Sequence, residues 1–460
     1  MNFSEVEDRL DPQYFFSKNN LHLANNTIFP VYPIAQVLDL QRGKFGHRPR
    51  NDPKLYNGQY PFIQTGDIVK ASLNNLPIEF SQTLNELGLK TSRLVSEKVV
   101  VLTIAANIGY TAILDYSACF PDSLIAIKPK EEQTLYLEYI DIYFKSIRQY
   151  LDDLAPQAAQ KNINYQQLAK IPFVVPPQKR QQEIIELKHK NNILANQKLK
   201  QSQTLLNSIS DYLLEKLGIT VPQVDNSLSS RIFICQSSEL FGMRWDAENK
   251  QEKYKRLYHN LQNGKFPVAH LGSLIEFIES GSRPSGGISD ISEGVLSLGG
   301  EHISQKMMLD VKTPKFISID FHQKHLETEI QLNDVLLVKD GATTGKVAIV
   351  EHNEFVGQNI NEHLFMMRFS KDVNPHFVLY FLYSEIGQRQ IQHGITGATV
   401  TGITKSVVKN LKIPLPDIET QKDIVAHIKQ IRKQAQNLEQ QAKDLLQQTQ
   451  QEIEKMILGN

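Results

Sequence analysis

The chain has 460 residues, 41% hydrophobic and 22% charged, with 50 Lys and Arg balanced by 50 Asp and Glu. That length exceeds one ordinary core and predicts two domains or more, while the composition excludes collagen-like and wholly disordered chains. The neutral balance argues against a uniformly basic nucleic-acid binder, although local distribution can still create basic faces.

In chain order, residues 1–29 read as an N-terminal arm. They lack a basic segment followed by an apolar one, so no signal peptide is expected. Residues 30–177 read as a first globular block rich in β signals. Near its start Arg42, Lys44, His47, Arg48, Arg50 and Lys54 crowd a Gly- and Pro-containing turn opposed only by Asp52. Val99-Val100-Val101-Leu102 is an apolar β-branched run of strand length, and Tyr136–Tyr150 reads as an aromatic helix. Gln157–Tyr165 follows, with Gln160, Lys161 and Asn162 as amide and amine donors. After a Pro-rich stop, residues 178–217 read as one long helix. Its seam is expected at Ile184, Leu187, Leu194, Leu205 and Tyr212, interrupted by Asn191, Lys198, Gln201 and Ser208, and Gly218 ends it. Lys179, Arg180, Lys188, Lys190, Lys198 and Lys200 read as its solvated face or as phosphate contacts.

Residues 218–265 read as a linker that repeats the arm, and residues 266–416 as a second block. Its matched turn carries Ser282, Arg283 and Ser285. Val335-Leu336-Leu337-Val338 is its strand run and His376–Ile391 its aromatic helix. Thr399, Thr401, Thr404 and Lys405 stand where the first block has Gln160 to Asn162. Residues 417–460 close the chain with a second long helix, free of Pro and Gly to residue 458. Its seam is Ile424, Ile428, Ile431, Ala435, Leu438, Ala442 and Leu445, with Thr449 and Met456 in register and Glu452 breaking it.

The order of features is a repeat with an offset of about 235–240 residues, the kind of self-similarity that decides architecture before any motif does. Arg9-Leu10-Asp11-Pro12 returns as Arg244-Trp245-Asp246-Ala247. Phe29-Pro30-Val31 returns as Phe266-Pro267-Val268, and Gly46-His47-Arg48-Pro49 as Gly281-Ser282-Arg283-Pro284. Ile108-Gly109-Tyr110-Thr111-Ala112 returns as Thr344-Gly345-Lys346-Val347-Ala348. Gln181-Gln182-Glu183-Ile184 returns as Gln421-Lys422-Asp423-Ile424. Two such halves joined head to tail predict an antiparallel helix pair holding the blocks at opposite ends about a pseudo-twofold axis. The alternatives are helices that pack on their own blocks or on another chain.

Several chemistries are not found. No Gly-rich cofactor loop with an Asn/Asp-Pro-Pro-Tyr/Phe tetrad marks a methyltransferase. Gly341-Ala342-Thr343-Thr344-Gly345-Lys346-Val347 falls one residue short of a phosphate-binding loop, and Val347 stands where Ser or Thr would ligate magnesium. It reads instead as a turn between strands. Cys119 and Cys235 lack zinc spacing and suit a reducing cytoplasm. His322 and His325, near Glu327 and Glu329, read as surface histidines. No catalytic or metal residue is assigned, and no apolar run is long enough to span a bilayer.

The basic turns suit phosphate and guanine contacts, and Gln and Asn can read adenine. Ordinary solvated loops are the competing reading of the same residues. Taken in order, the motifs resemble the specificity subunits of type I restriction–modification systems. Ile413-Pro414-Leu415-Pro416 with Gln421 and Ile424 is a close match. Ile171-Pro172 through Pro176-Pro177 with Gln181 is a looser one. Gly345-Lys346-Val347-Ala348 is similar to the family's turn, from which Gly109-Tyr110-Thr111-Ala112 departs. The resemblance implies an α+β protein. Two similar target recognition domains, mixed α/β with a β-rich core, would be joined by two long antiparallel coiled-coil helices. Each domain would read one half of a split, asymmetric DNA site. The helices would set the spacing and dock two methyltransferase subunits and restriction/translocase subunits in the cytoplasm. This chain would hold no cofactor; S-adenosylmethionine, ATP and Mg would belong to the partners. The DNA-contacting residues expected are Arg42, Lys44, His47, Arg48, Arg50, Gln160, Lys161, Asn162, Ser282, Arg283, Ser285, Thr399, Thr401 and Lys405. A coiled-coil scaffold, a pseudo-dimeric regulator and a self-contained restriction–methylation enzyme are the competing functions.

Overall fold

The computed structural model describes residues 21–46, 51–130, 134–155, 162–223, 225, 227–228, 232, 234, 250–287, 291–397 and 401–459. The chain divides into two units, one of residues 1–197 with 441–460 and one of residues 198–440. Each is taken in turn.

Unit 1 contains α1 (His22–Asn26), β1 (Val31–Pro33), β2 (Leu38–Arg42), β3 (Tyr56–Phe62), α2 (Thr65–Asn74), β4 (Gln82–Leu84), β5 (Leu94–Val95), β6 (Val99–Thr103), β7 (Thr111–Leu114), β8 (Ala118–Cys119) and β9 (Leu124–Pro129). It continues with α3 (Leu137–Ser146), α4 (Arg148–Leu154), β10 (Pro172–Val174) and the first part of α5 (Gln178–Leu217). One sheet has the order β2-β9-β6-β7 and a second β4-β3-β8-β5, while β1 pairs with β10. Every residue of β6 is buried, which is why that strand is a continuous β-branched run and not an alternating one. Tyr139, Ile140, Tyr143 and Phe144 of α3 pack into the same core as Val100, Ile125 and Ile127.

Unit 2 repeats the plan. It contains the end of α5, then α6 (Glu252–Gln262), β11 (Val268–His270), β12 (Ile275–Ser280), β13 (Val295–Leu298), β14 (Phe316–Ile317), β15 (Val335–Val338), β16 (Val347–Ile349), β17 (Asn359–Ile360) and β18 (Leu364–Phe369). There follow α7 (Pro375–Tyr383), α8 (Glu385–Gly394), β19 (Lys412–Pro414) and α9 (Ile418–Leu458), whose last part belongs to unit 1. The sheet β12-β18-β15-β16 has the strand order of β2-β9-β6-β7, and β11-β19 that of β1-β10. Registers agree in detail: Val31 faces Val174 and Val268 faces Pro414.

The two long helices pack together within each unit. In unit 1 Asn191 donates to Thr449 Oγ1 at 2.8 Å. In unit 2 Ser202 donates to Glu439 at 2.9 Å, and Tyr212 stacks on His427 at 4.2 Å. Partners therefore run in opposite chain directions, and polar pairs sit inside the packed face, where they can fix register. The seam of α5 differs from the expected one. Leu194 is 38% exposed while Ala195 and Ser202 are buried at 1% each, with Leu206, Ile209 and Leu213 beyond. The packed stripe runs one residue later than the large apolar residues suggested, because small side chains let the helices approach. The α9 seam holds through Thr449, then continues at Ile453 and Ile457, with Met456 partly buried beside them.

Three further expectations are corrected. Each aromatic stretch forms two short helices, not one, with breaks at Ile147 and Ser384. His322 is buried, 2.5 Å from Asn359 Oδ1, so it is a core histidine; only His325 remains partly exposed, stacked on Phe321. Lys188 leaves the solvated face of α5 and lies 3.9 Å from the Asp141 carboxylate. Among the described residues, no group of His, Cys, Asp or Glu could hold a metal, and no helix is long and apolar enough to cross a membrane.

Candidate nucleic-acid interface

One end of the first sheet of each unit gathers the exposed polar residues, and the backbone there is fixed the same way twice. In unit 1, β2 runs out at Arg42 and the Gly43 N–H donates to Leu124 O at 2.9 Å. A Cβ at Gly43 would sit 2.2 Å from Pro121 O and 2.5 Å from Phe120 O, so only glycine lets the chain pass. In unit 2, β12 runs out at Ser280, and a Cβ at Gly281 would sit 2.0 Å from Ile360 O and 2.4 Å from Asn361 O. Strand pairing sets Arg42 against Ile125 and Ser280 against Phe365. Gly281 therefore corresponds to Gly43 and not to Gly46, and the basic turns align three residues earlier than the sequence suggested. Lys44 thus corresponds to Ser282.

Beside these turns, β6–β7 and β15–β16 are closed by Gly109 and Gly345, both left-handed at φ 81° and 94°. Each donates its N–H back to the preceding strand, to Thr103 O and Val338 O, at 2.9 Å. The loop from 341 to 347 is a strand connection, as its one-residue deficit implied. The second candidate segments dock at the same edge. Ile163 donates to Ile104 O at 2.9 Å, and Ile403 to Lys339 O at 2.8 Å. Asn162 bridges Ala105, and Gly402 bridges Asp340.

The sequence profile described as "Type I restriction modification DNA specificity domain" matches residues 29–201 and 262–448, most of the chain and both repeats. The chain belongs to that specificity family. It is also similar, at 24% identity over 176 residues, to the Type I restriction enzyme MjaVIII specificity subunit of Methanocaldococcus jannaschii. That match spans 38% of this chain and 38% of the relative's length. A chain from a structure described as the structural basis of complex assembly and conformational transition of the type I R-M system aligns with a TM-score of 0.55 at 13% identity. It covers 93% of this chain and 96% of that one. The type I S subunit from M. genitalium aligns over 95% of this chain and 98% of its own, at 10% identity and a TM-score of 0.42.

Within this specificity chain the side chains on the repeated frame differ. In unit 1, Arg42 is exposed and donates from Nε to Asp122 O at 2.7 Å. Lys44 is exposed, its carbonyl held by Ser92 Oγ at 2.7 Å. Arg93, which sequence reasoning passed over, donates to Arg42 O at 3.4 Å and adds a third exposed cation. Asn162 is exposed at the neighbouring edge. His47, Arg48, Arg50, Gln160, Lys161 and Thr399 lie outside the described residues.

In unit 2 the residues interleave both charges. Arg283 lies 3.6 Å from Glu362, and Ser282 and Ser285 share its turn, which the left-handed Gly286 and Gly287 close. Lys405 pairs with Glu279, joining the two segments that the sequence treated separately. Lys339 donates to Ser280 Oγ at 3.0 Å, and His363 pairs with Asp340. Thr401 is exposed and its carbonyl accepts from Gly341 N–H at 3.2 Å. Partial burial works to raise the Glu279 carboxyl, but the Lys405 ammonium and the Ser280 N–H outweigh it and hold it below the usual carboxylate value. Glu279, Lys339, Asp340, Glu362 and His363 were missed because they are scattered in sequence and meet only where neighbouring strands end together.

The family-like glutamines serve a different purpose. Gln181 and Gln421 are each 1% exposed at the start of α5 and α9. Gln181 accepts from Tyr136 N–H at 3.1 Å and donates to Pro176 O at 2.9 Å. Gln421 accepts from Asn374 N–H and donates to Pro416 O, both at 2.9 Å. They tie the Pro-rich stop, the long helix and the aromatic helix together; they do not face a ligand.

Proposed function

We propose that this chain is the DNA-reading, non-catalytic specificity subunit of a type I restriction–modification complex. Its two blocks, residues 30–177 and 266–416, read the two halves of a bipartite, asymmetric target. The arm of residues 1–29, repeated within the linker 218–265, and the long helices of 178–217 and 417–460 dock two methyltransferase subunits and restriction/translocase subunits. S-adenosylmethionine, ATP and Mg act on those partners, in the cytoplasm.

The observation that carries this reading is a backbone frame kept twice beneath two unlike polar surfaces. Side chains at strand ends can enter the major groove, where base edges differ, while neighbouring cations hold phosphates. Arg42, Lys44, His47, Arg48, Arg50, Gln160, Lys161 and Asn162 serve the first half-site. Ser282, Arg283, Ser285, Thr399, Thr401 and Lys405 serve the second. Two half-sites on one face of the duplex favour a spacing near one helical turn, roughly 34–36 Å, which rigid helices set better than a flexible linker.

The test is recovery of the tagged chain from its native cells, followed by methylome mapping with and without its gene. Expected are an adenine methyltransferase near two copies per chain and chain-dependent methylation at one split sequence. A chain that emerges without a methyltransferase, and whose deletion leaves the methylome unchanged, defeats the reading.

A further inference from the structure

Resting on the proposed function, we infer that the loop of residues 303–309 in unit 2 is a strut that fixes the spacing between the two half-sites, with Lys306 and Met307 as its positioning residues. Its base and its tip belong to different cores. At the base Ile303 bridges Leu309, and both pack into the sheet core of Leu298, Leu336 and Val338. The tip is closed on itself. Ser304 N–H donates to Met308 O at 3.0 Å, and Ser304 Oγ accepts from the N–H groups of Lys306 and Met308, both at 3.3 Å. From that tip Met307, 1% exposed, enters the core formed by Leu206 and Ile209 of α5 with Ile431 and Ala435 of α9. Beside it Lys306 donates to Glu439 Oε2 at 2.6 Å, while Ser202 of α5 donates to Oε1 at 2.9 Å. One carboxylate thus joins the block to both helices. A half-exposed ion pair holds little on its own; Met307 is the anchor, and the pair sets its direction.

Three observations mark this loop as a positioning device. Met307 has a left-handed backbone at φ 61°, which is costly for a residue with a side chain and persists only where the surroundings impose it. Cavities of about 440 and 350 Å³ flank the loop, one lined by Lys433 and Gln436 of α9 and the other by Gln203 and Asn207 of α5. Packing is open on both sides, so the loop bears the contact there. Unit 1 supplies the third. Both β13 and β3 pair antiparallel with the next strand and parallel with a later short one, so the connection 299–315 corresponds to 63–81. In unit 1 that connection forms α2, whose Ile68 and Ala71 pack on the unit's own sheet with Val101 and Leu114. Among the described residues, none of 63–81 joins the core that contains Ile184 and Ile453 of the long helices.

Unit 2 therefore holds its block to α9 at two places, Gln421 and Glu439, about 27 Å apart along the helix. A block fastened at one end of such a span can rock as the helix bends; one fastened at both cannot. Moving a half-site by one base pair shifts it about 3.4 Å along the duplex and about a tenth of a turn around it. The strut denies the second block the rocking that would follow such a shift, so a target of wrong spacing loses contacts in that half-site.

The experiment maps methylated sites in native cells that carry the intact chain, Lys306→Ala with Met307→Gly, or Leu73→Ser on the matching connection of unit 1. Glycine suits the left-handed position, so the first variant removes the wedge without adding strain. It should keep both half-sites and add methylation at targets whose spacer is one base pair longer or shorter, where the intact chain has none. Leu73→Ser should leave the spacer unchanged. A chain that is merely destabilised loses methylation and gains no new spacing. Should the variant methylate nothing, its purified complex is titrated against duplexes with the native spacer and with one base pair more or fewer. A narrowed preference for the native spacer supports the inference, and equal loss on all three overturns it. An unchanged spacer, an altered half-site, or the same relaxation from Leu73→Ser also overturns it. Failure of the proposed function is distinct, for then the intact chain itself directs no split-site methylation.

Discussion

The contact between each long helix and its own block is built twice, once with charge and once without. In unit 1, Asp141 on α3 accepts from Thr111 Oγ1 at 2.8 Å and Lys145 Nζ at 3.0 Å, with Lys188 of α5 at 3.9 Å. The corresponding residues of unit 2, Leu379, Val347 and Ile428, are apolar and buried at 2% exposure or less. Further along the same contact the roles reverse. Glu351 of unit 2 is 3.0 Å from His376 and 3.5 Å from Arg432, and Arg432 donates to Tyr380 at 3.2 Å. Unit 1 has Asp115, Glu138, Asn192 and Ile142 there. Each elbow therefore carries one ionic cluster, at different levels. The difference teaches that the frame tolerates either chemistry provided the polar set is complete. A complete buried ionic set is not more stable than an apolar one, but an incomplete one is much less stable.

The apolar version breaks first at Leu379, fully buried. Its replacement by Ala should cost about 2–5 kcal/mol, read as a lower urea midpoint at unchanged slope. A cost below about 1 kcal/mol would show that the apolar elbow carries little load. Next is Glu351, whose carboxyl the His376 hydrogen bond, opposing burial and aided by the Arg432 charge, holds down at about 2. A depressed carboxyl contributes stability above its unfolded value of 4.5 that is lost as pH falls toward 2. Glu351→Gln should therefore cost about 2 kcal/mol at neutral pH and flatten the acid limb of the stability curve. An unaltered acid limb in chemical melts would count against the cluster.

Lys188 supplies the smaller and opposite effect. Burial lowers its ammonium to about 8, against the pull of Asp141. Between about 8 and its ordinary 10.5 the unfolded chain binds more protons than the folded one, so stability should rise with pH across that window. Below it the penalty is fully present. Asp141 keeps its closer partners Thr111 and Lys145 without Lys188, and Lys188 is still one-fifth exposed, so Lys188→Met should stabilise at pH 7 by only about 1 kcal/mol. It should also remove the alkaline slope, and a melting series from pH 7 to 10 checks both. Smallest in stability are Arg42→Ala and Lys44→Ala, expected within about 0.5 kcal/mol as surface changes. Each should instead lower the salt dependence of DNA binding by about one unit of slope; an unchanged slope would remove them from the phosphate contact.

Much of this architecture was legible in the sequence. The strand runs at Val99 and Val335, the glycine turns at Gly109 and Gly345, and the Pro-rich stops before the long helices are local signals, and local signals survive tertiary packing. The α5 seam was misread because large apolar residues draw attention, whereas Ala195 and Ser202 are what a close helix pair requires. The candidate interface was half legible. Arg42 and Lys44 announce themselves as a run on one turn. Lys339, His363 and Glu279 do not, since their neighbourhood exists only once β12, β15 and β18 are side by side. Gln181 and Gln421 were visible as motif residues, but a motif does not say whether its side chain faces a ligand or the core.

Those two glutamines also have a mechanical consequence. A proline-rich entry to a helix is ordinarily a place where a chain can swivel. Here one side-chain amide fastens three segments at that point, and it does so inside the protein, where water cannot substitute for a lost bond. The joint is thus a weld and not a pivot. Torque applied to either block passes into the first turn of its own helix without slack, and bending must occur along the helices themselves, where stiffness is high.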